Sequence, residues 1–353
     1  MSKTTRIQDE LGLRYPIIQG PFGGGLSTME LAAGVSNRGG LGSYGAHVFE
    51  ADGIDQLIQH LRAQTDRPFN INLWVSDHDP GGLDVSAEAF ETSWKLFEPF
   101  FDEYGLDRPE PPRDYHPRFE QQVEAVLENA PPVFSWVFGI PSAKILEACR
   151  VRGIRTLGAA TTLAEARALD DAGVDYILAT GADAGGHRPA FLEPAEDNLI
   201  GTLPLVRMIA REIKRPVIAA GGIADRAGIE AVGCLGAEAA QLGTAFLATD
   251  LSGTHDAHRD VLFSGRAEKT RLTRAYTGRL ARGIDNRVIA EMEKRAGRLP
   301  PFPVLAWFLG FLKRAALAAG QEDFASLYSG QGAPILEHRT LDALMDELTT
   351  PLN

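Results

Sequence analysis

An α/β fold, and within that class a closed (β/α)8 barrel, is predicted by three features of the sequence. Short apolar runs closed by Gly or Pro recur eight times, most of them are separated by one amphipathic helical pattern, and the repeats fill about 240 residues, near the usual size of such a barrel. Strands joined by helical crossovers must pair in parallel. An open doubly wound sheet would satisfy the same alternation, but eight repeats in that length favour the closed TIM barrel.

The first run, Pro16-Ile17-Ile18-Gln19-Gly20-Pro21, ends in turn residues and is followed by the flexible Phe22-Gly23-Gly24-Gly25. Ser27 or Thr28 can cap a helix through Met29, Leu31, Ala32 and Val35 that stops near Gly39-Gly40. Leu41 to Ala46 is the second strand, and Ile54, Leu57, Ile58 and Leu61 then share one helical face. Phe69 to Val75 is the third strand. From Ser76 to about Pro132 the alternation breaks at Asp77-His78-Asp79-Pro80-Gly81-Gly82, an amphipathic stretch around Trp94 to Phe101, and a Pro-rich segment. The reading is an insertion, residues 76–132, with helical content, projecting from one face; the spacing of Phe119, Val123, Val126 and Leu127 leads back to the main body.

Val133 to Gly139 is the fourth strand, and Pro141-Ser142 opens a helix through Ile145, Leu146 and Cys149 that ends at Gly153. Ile154 to Ala160 is the fifth strand, Thr162 to Ala172 a helix, and Tyr176 onward the sixth strand. Leu205, Val206, Ile209 and Ile213 line a helix before the seventh strand at Pro216 to Ala220; Asp225 caps another helix, and Ala239 to Phe246 is the eighth strand. Residues 1–250 are thus expected to form the barrel, with residues 251–353 a C-terminal helical extension that builds a smaller lid domain over its mouth.

Charge and composition narrow the function. Lys and Arg total 35 against 47 Asp and Glu, a net charge of −12, which argues against nucleic acid as a partner. Cys149 and Cys234 lie in helix-like apolar patterns and read as small core residues of a reducing compartment. The N-terminal stretch lacks the apolar run of a signal peptide, and the longest apolar run, Val304 to Leu312, is too short to span a membrane. A soluble cytoplasmic protein is expected, and the composition leaves a homo-oligomer open.

Functional residues of such a barrel gather at the C-terminal strand ends, where Gly20-Pro21, Asn72, Gly139, His187, Gly221-Gly222 and Gly243-Thr244 fall. A His in that position is a candidate proton carrier. Bare amides after the seventh and eighth strands suit a phosphate-bearing ligand. Gly40-Leu41-Gly42-Ser43-Tyr44-Gly45 fits a dinucleotide-binding pattern by letter, but it lies mostly inside a strand and reads as packing. His255 and His258 have H-x-x-H spacing without a recognisable third ligand, so a solvated loop is expected there and no metal site. Trp307, Phe308, Phe311 and Leu312 read as a core or subunit-contact stripe, while Tyr276 and Tyr328 either border a substrate or pack with a bonded hydroxyl.

Taken together, YPIIQGPFGGG, FNINLW, VFSWVFGIP, GADAGGHRP, PVIAAGGIAD and AAQLGTAF, with AYTGRLARGIDN and YSGQGAPI beyond the barrel, resemble the class I nitronate monooxygenases, formerly called 2-nitropropane dioxygenases. The resemblance covers most of the chain and implies an FMN-dependent oxidoreductase. It implies that His187 is the catalytic base, that Gly185 lies beside the flavin, and that Pro21 and Phe22 line its ring. Asn72 would bond the ring edge, Gly221 and Gly222 would meet the ribityl phosphate, and Gln241, Leu242, Gly243 and Thr244 would complete the phosphate cradle. Thr180 stands where many members carry Gln and would approach FMN with a shorter side chain. Pro189 replaces a common Gly and Asp183 a common Glu, departures that bear on substrate range.

The implied reaction takes a nitronate, or a nitroalkane deprotonated by His187, and O2 to a carbonyl compound and nitrite. The competing enzyme reading is an NAD(P)H-dependent flavin reductase, for quinones or enoyl thioesters, on the same barrel. A non-catalytic binder of a phosphate ligand is the third, and it gives no reason for His187.

Overall fold

The computed structural model describes residues 4–75, 79 and 85–351; the expected turn residues Ser76, Asp77, His78, Pro80, Gly81 and Gly82 lie outside the described residues. The strands are β1 (Ile17–Gln19), β2 (Gly42–Gly45), β3 (Phe69–Trp74), β4 (Val133–Val137), β5 (Arg155–Ala160), β6 (Tyr176–Thr180), β7 (Gly186–His187), β8 (Val217–Ala220), β9 (Ala239–Leu242), β10 (Thr270–Thr273) and β11 (Ala281–Ile284). Eight of them form one sheet in the order β1-β9-β8-β6-β5-β4-β3-β2. Every pairing in it is parallel, as single-helix returns require. A parallel bridge between Ile18 and Leu41 joins the two ends, and the sheet is a barrel.

Alternation along the strands divides the core in two. One set of side chains, including Ile18, Leu157, Leu178 and Ile218, packs inside the ring. The neighbouring positions, including Ile17, Ile177, Val217 and Leu242, pack outward against Leu57, Ile58, Val206 and the other helix residues. Truncating a side chain as enclosed as Ile58 (0% exposed) would cost about 2–5 kcal/mol. The helix starts follow capping chemistry: Thr28 accepts from the Leu31 amide at 2.9 Å, and Asp225 from the Gly228 amide at 2.7 Å.

The floor of the ring is closed by a short helix, Arg6–Leu11, held by a reciprocal Thr5–Gln8 capping box. Its Ile7 and Leu11, with Leu13, pack into the interior cluster, and the Tyr176 hydroxyl donates to Glu10 at 2.9 Å.

The segment 76–132 serves two surfaces. Helix Phe119–Asn129 buries Phe119, Val123 and Val126 in the barrel's outer cluster. Helix Ala87–Glu103 instead buries Phe90, Trp94, Phe97 and Phe101 against Leu305, Phe308 and Leu312 of helix Val304–Ala318. Residues 251–353 likewise divide, because helix Leu341–Thr349 returns to the ring and buries Leu341, Leu344 and Leu348 in the outer cluster.

Two expectations need correction. The eighth strand stops at Leu242, and Thr244 to Phe246 already belong to a short helix. Cys149 is buried but Cys234 is exposed, because it ends its helix on the solvent side. Unforeseen was the antiparallel sheet β10-β11-β7 set above the ring. Its β7 is two residues long and is defined by the strand it meets.

Candidate active site

A cavity of about 670 Å³ opens at the C-terminal ends of the barrel strands. Its wall includes Pro21, Phe22, Asn72, Thr180, Gly185, His187, Gly221, Gly222, Gln241, Gly243 and Thr244, all expected at the site. Leu242 does not reach it: it is fully buried in the outer cluster. The reason is strand alternation, which sends Gln241 and Leu242 to opposite faces of β9.

His187 is placed by the small second sheet, where it pairs with Ala281 while Gly186 pairs with Arg282. Two guanidiniums fix the loop before it. Arg188, 2% exposed, donates to the carbonyls of Thr180 at 3.1 Å, Gly181 at 2.5 Å and Asn198 at 3.0 Å. Arg282 donates to the Ala182 carbonyl at 2.9 Å. Gly185 is required by contact, since a Cβ there would meet the Gly330 nitrogen at 2.5 Å.

His187 Nε2 shares a 2.8 Å hydrogen bond with the Thr277 hydroxyl, and Nδ1 has no partner among the described residues. Its ring stands edge-on to Trp74 at 4.9 Å and tilted to Tyr328 at 5.5 Å. Burial, and secondarily the Arg279 guanidinium, push the imidazole down to about 3. It is therefore neutral near pH 7 and can accept a proton, with protonation costly until an anion develops beside it.

At the end of the neighbouring strand β8, Gly221 and Gly222 turn with φ of +121° and +69°, conformations that side-chain-bearing residues rarely adopt. The amides of Gly222 and Gly243 find no backbone acceptor among the described residues. Thr244 Oγ1 accepts from the Gly330 amide at 2.9 Å, drawing the Tyr328–Gly332 segment over the same spot. Asp183 Oδ2 accepts from the Thr202 amide at 2.6 Å, and the Thr202 hydroxyl donates to the Gly221 carbonyl at 2.9 Å. The result is a concave set of bare amides suited to an anion.

Elsewhere on the cavity wall, the Asn72 amide donates to Ser135 Oγ at 2.9 Å. The Thr180 hydroxyl is buried without a partner. A polar atom left so is normally completed by a ligand or water.

The structure adds residues that sequence reasoning missed. His47 stacks on Trp74 with centroids 3.8 Å apart, and His116 lies 5.8 Å beyond it. His47 Nδ1 and His116 Nε2 are buried without partners, and burial holds His47 well below the ordinary histidine value. Arg279 lies 3.7 Å over the Phe138 ring and pairs with Asp79 in a buried ion pair. His47 was findable, because it follows Gly45-Ala46 at the end of the second strand just as His187 follows the sixth.

Other candidates resolve structurally. His255 and His258 start a helix and do not form a solvated loop. His255 Nδ1 caps it by accepting from the His258 amide, and the buried His258 bonds the Tyr328 carbonyl through Nε2 at 3.0 Å. Among the described residues no group of three or more His, Cys, Asp or Glu could hold a metal, and no helix is long and apolar enough to cross a membrane. Tyr276 is buried with its hydroxyl on the Ile284 carbonyl at 2.9 Å, and both it and Tyr328 line the cavity.

Comparison with known proteins agrees with this geometry. Residues 4–350 match the model of the family described as nitronate monooxygenase. A nitronate monooxygenase of Paraburkholderia phytofirmans is 40% identical over 346 residues, covering 97% of this chain and 93% of its own. A probable nitronate monooxygenase of Staphylococcus saprophyticus is 35% identical over 355 residues, covering 100% and 99%. Among solved structures, nitroalkane oxidase from Streptomyces ansochromogenes superposes with a TM-score of 0.86 at 36% identity, covering 97% of this chain and 96% of that one. FabK from Thermotoga maritima gives 0.75 at 27% identity, covering 98% and 95%. By sequence over nearly its whole length and by fold, the chain belongs to the nitronate monooxygenase family of flavin-dependent oxidoreductases.

Proposed function

We propose that this protein binds FMN and uses it to oxidise alkyl nitronates with O2 to a carbonyl compound and nitrite, and that His187 deprotonates neutral nitroalkanes where these are the substrate. The observation that carries the reading is an imidazole, held neutral near pH 7 by burial, on the wall of a cavity that also holds a cradle of bare glycine amides. The residues suit FMN. Gly221, Gly222, Gly243 and Thr244 would hold its phosphate, with Gln241 beside them. Pro21, Phe22 and Gly185 would flank the ring, and Asn72 and the unpartnered Thr180 hydroxyl would meet its polar edge. When bound, FMN supplies the oxidation of the nitronate and the passage of electrons to O2.

The chain's own part is acid–base and electrostatic. With Thr277 holding Nε2, Nδ1 of His187 is left to receive the proton from the carbon bearing the nitro group. The nitronate that forms is an anion, and the imidazolium beside it holds it by a charge-assisted hydrogen bond. Burial strengthens that pair by lowering the local dielectric. A preformed nitronate skips the abstraction and needs His187 only for orientation. Trp74, Phe138 and Phe302 give the reacting end an apolar wall that excludes water.

The likeness to FabK keeps an NAD(P)H-dependent flavin reductase as the second reading. Anaerobic mixing of the yellow holoenzyme separates the two. Bleaching of the flavin by a nitronate, with nitrite formed on admitting O2, supports the oxidation; bleaching by NADH alone overturns it in favour of the reductase. A colourless protein that takes up no FMN would refute both.

A further inference from the structure

Behind the cavity wall, Arg279 is a charged side chain that the proposed reaction leaves without a part. Its guanidinium lies 3.7 Å over the Phe138 ring, 4.9 Å over Phe302 and 5.9 Å over Trp74. Two of those rings also flank the imidazole, with Trp74 4.9 Å and Phe138 6.2 Å from His187. Arg279 pairs with Asp79 of the segment inserted after β3, and the two side chains are only 15% and 7% exposed. Among the described residues, Arg279 Nε and Asp79 Oδ2 are buried without partners. A desolvated ion pair with unmet polar atoms is a poor source of stability. What it does supply is a fixed direction for the guanidinium.

That direction matters because of what Arg279 joins. It stands between the two residues that reach the His187 segment: Thr277 meets His187 Nε2 at 2.8 Å, and the Leu280 carbonyl accepts from the Arg188 amide at 2.8 Å. The Arg279 amide itself donates to Thr277 Oγ1 at 3.3 Å, occupying one lone pair of the hydroxyl that touches the imidazole. The turn between them has little slack. Gly278 has a φ of +91°, and a Cβ there would meet the Phe302 nitrogen at 2.6 Å. A guanidinium that swung free would therefore turn the amide of its own residue and shift the Thr277 hydroxyl with it.

We propose that Arg279, clamped among the three rings by Asp79, is a positioning residue that keeps the Thr277 hydroxyl on His187 Nε2 and so leaves Nδ1 bare toward the cavity. This rests on His187 as the base in the nitronate reading, and adds that the inserted segment takes part, through Asp79, in aligning it. Arg279 does not itself line the cavity; it acts through Thr277.

The test reads the imidazole directly. Ring-nitrogen NMR of the holoprotein with isotope-labelled histidine, at neutral pH, identifies His187 by the signal lost in His187→Asn and shows which nitrogen carries the hydrogen. The parent is expected to hold one tautomer, with the hydrogen on Nε2. Arg279→Met keeps the length and the ring contacts without the charge. It should admit the second tautomer and lower nitroethane turnover about 10-fold or more, with far less effect on ethyl nitronate. Asp79→Asn, which frees the guanidinium without removing it, should do the same to a lesser degree. Arg279→Lys can still pair with Asp79 and should keep most of the parent pattern. A parent ring with its hydrogen on Nδ1, or a single unchanged tautomer in Arg279→Met, overturns the proposal. So does the parent pattern in Asp79→Asn, which would leave the rings alone to seat the guanidinium; that variant decides the matter if Arg279→Met does not fold. A His187 that responds as expected in a protein that oxidises no nitronate would sink the nitronate reading and leave the clamp standing.

Discussion

Arg188→Met is the perturbation that most directly tests how the loop before His187 is held. Arg188 is 2% exposed and donates to three carbonyls that bracket the loop, those of Thr180, Gly181 and Asn198. Methionine fills a similar length of space but donates nothing, so three buried carbonyls lose their donor. At about 1 kcal/mol for each lost bond, the gross cost is about 3 kcal/mol. Removing a buried cation, whose value burial lowers to about 10, returns part of this. A net loss of about 2–3 kcal/mol is expected, which for a chain of 353 residues lowers Tm by roughly 3–4 °C. The loop also delivers Gly185 and His187 to the cavity, so turnover should fall more than stability does. The assay is thermal unfolding of the holoprotein alongside nitronate turnover by nitrite release. A variant with Tm within about 1 °C of the parent and full turnover would refute the view that these bonds set the loop.

Three further outcomes are expected. His187→Asn should retain bound flavin yet lose at least about 100-fold in turnover of neutral nitroethane, with a smaller loss on ethyl nitronate; unchanged nitroethane oxidation would dismiss His187 as the base. Gly185→Ala places a Cβ 2.5 Å from the Gly330 nitrogen, so flavin release on dilution should accelerate about tenfold or more and stability drop by about 1–3 kcal/mol; equal flavin retention would show that the Ser329–Gly330 segment yields freely. His187 and His258 both stand at about 3 when folded, below their ordinary unfolded value. The unfolded chain therefore binds their protons first, and their stabilising contribution is complete above about pH 6.5 and lost as pH falls toward 3. His258→Gln should flatten the acid side of the stability profile by about 1.4 kcal/mol per pH unit, and an unchanged slope in urea unfolding would contradict the neutral, buried state of that ring.

What could be read from the sequence was whatever depends on local periodicity. The ring strands announce themselves as apolar runs between glycines and prolines, and parallel order follows from one helix per return. Gly221, Gly222 and His187 were legible because strand-end chemistry is a property of the fold. The second sheet was not, because two residues of β7 carry no pattern of their own and are strands only by virtue of pairing with Ala281 and Arg282. Leu242 was misassigned by treating a contiguous segment as one surface, although alternation distinguishes it from Gln241. Trp74 and His116 meet across segments far apart in the chain, and no spacing rule links them. His258 was misplaced for a similar reason: its burial comes from the carbonyl of Tyr328.

The stopper at the bottom of the ring, Ile7, Leu11 and Leu13 held by the Thr5–Gln8 box, turns the barrel into a blind vessel. With that end filled, what the proposed reaction consumes and what it makes both pass at the C-terminal strand ends, where the cavity lies. A slow-leaving carbonyl product would then hold back dioxygen and the next substrate alike, so that product inhibition competes against both, and widening the cavity there would relieve both at once.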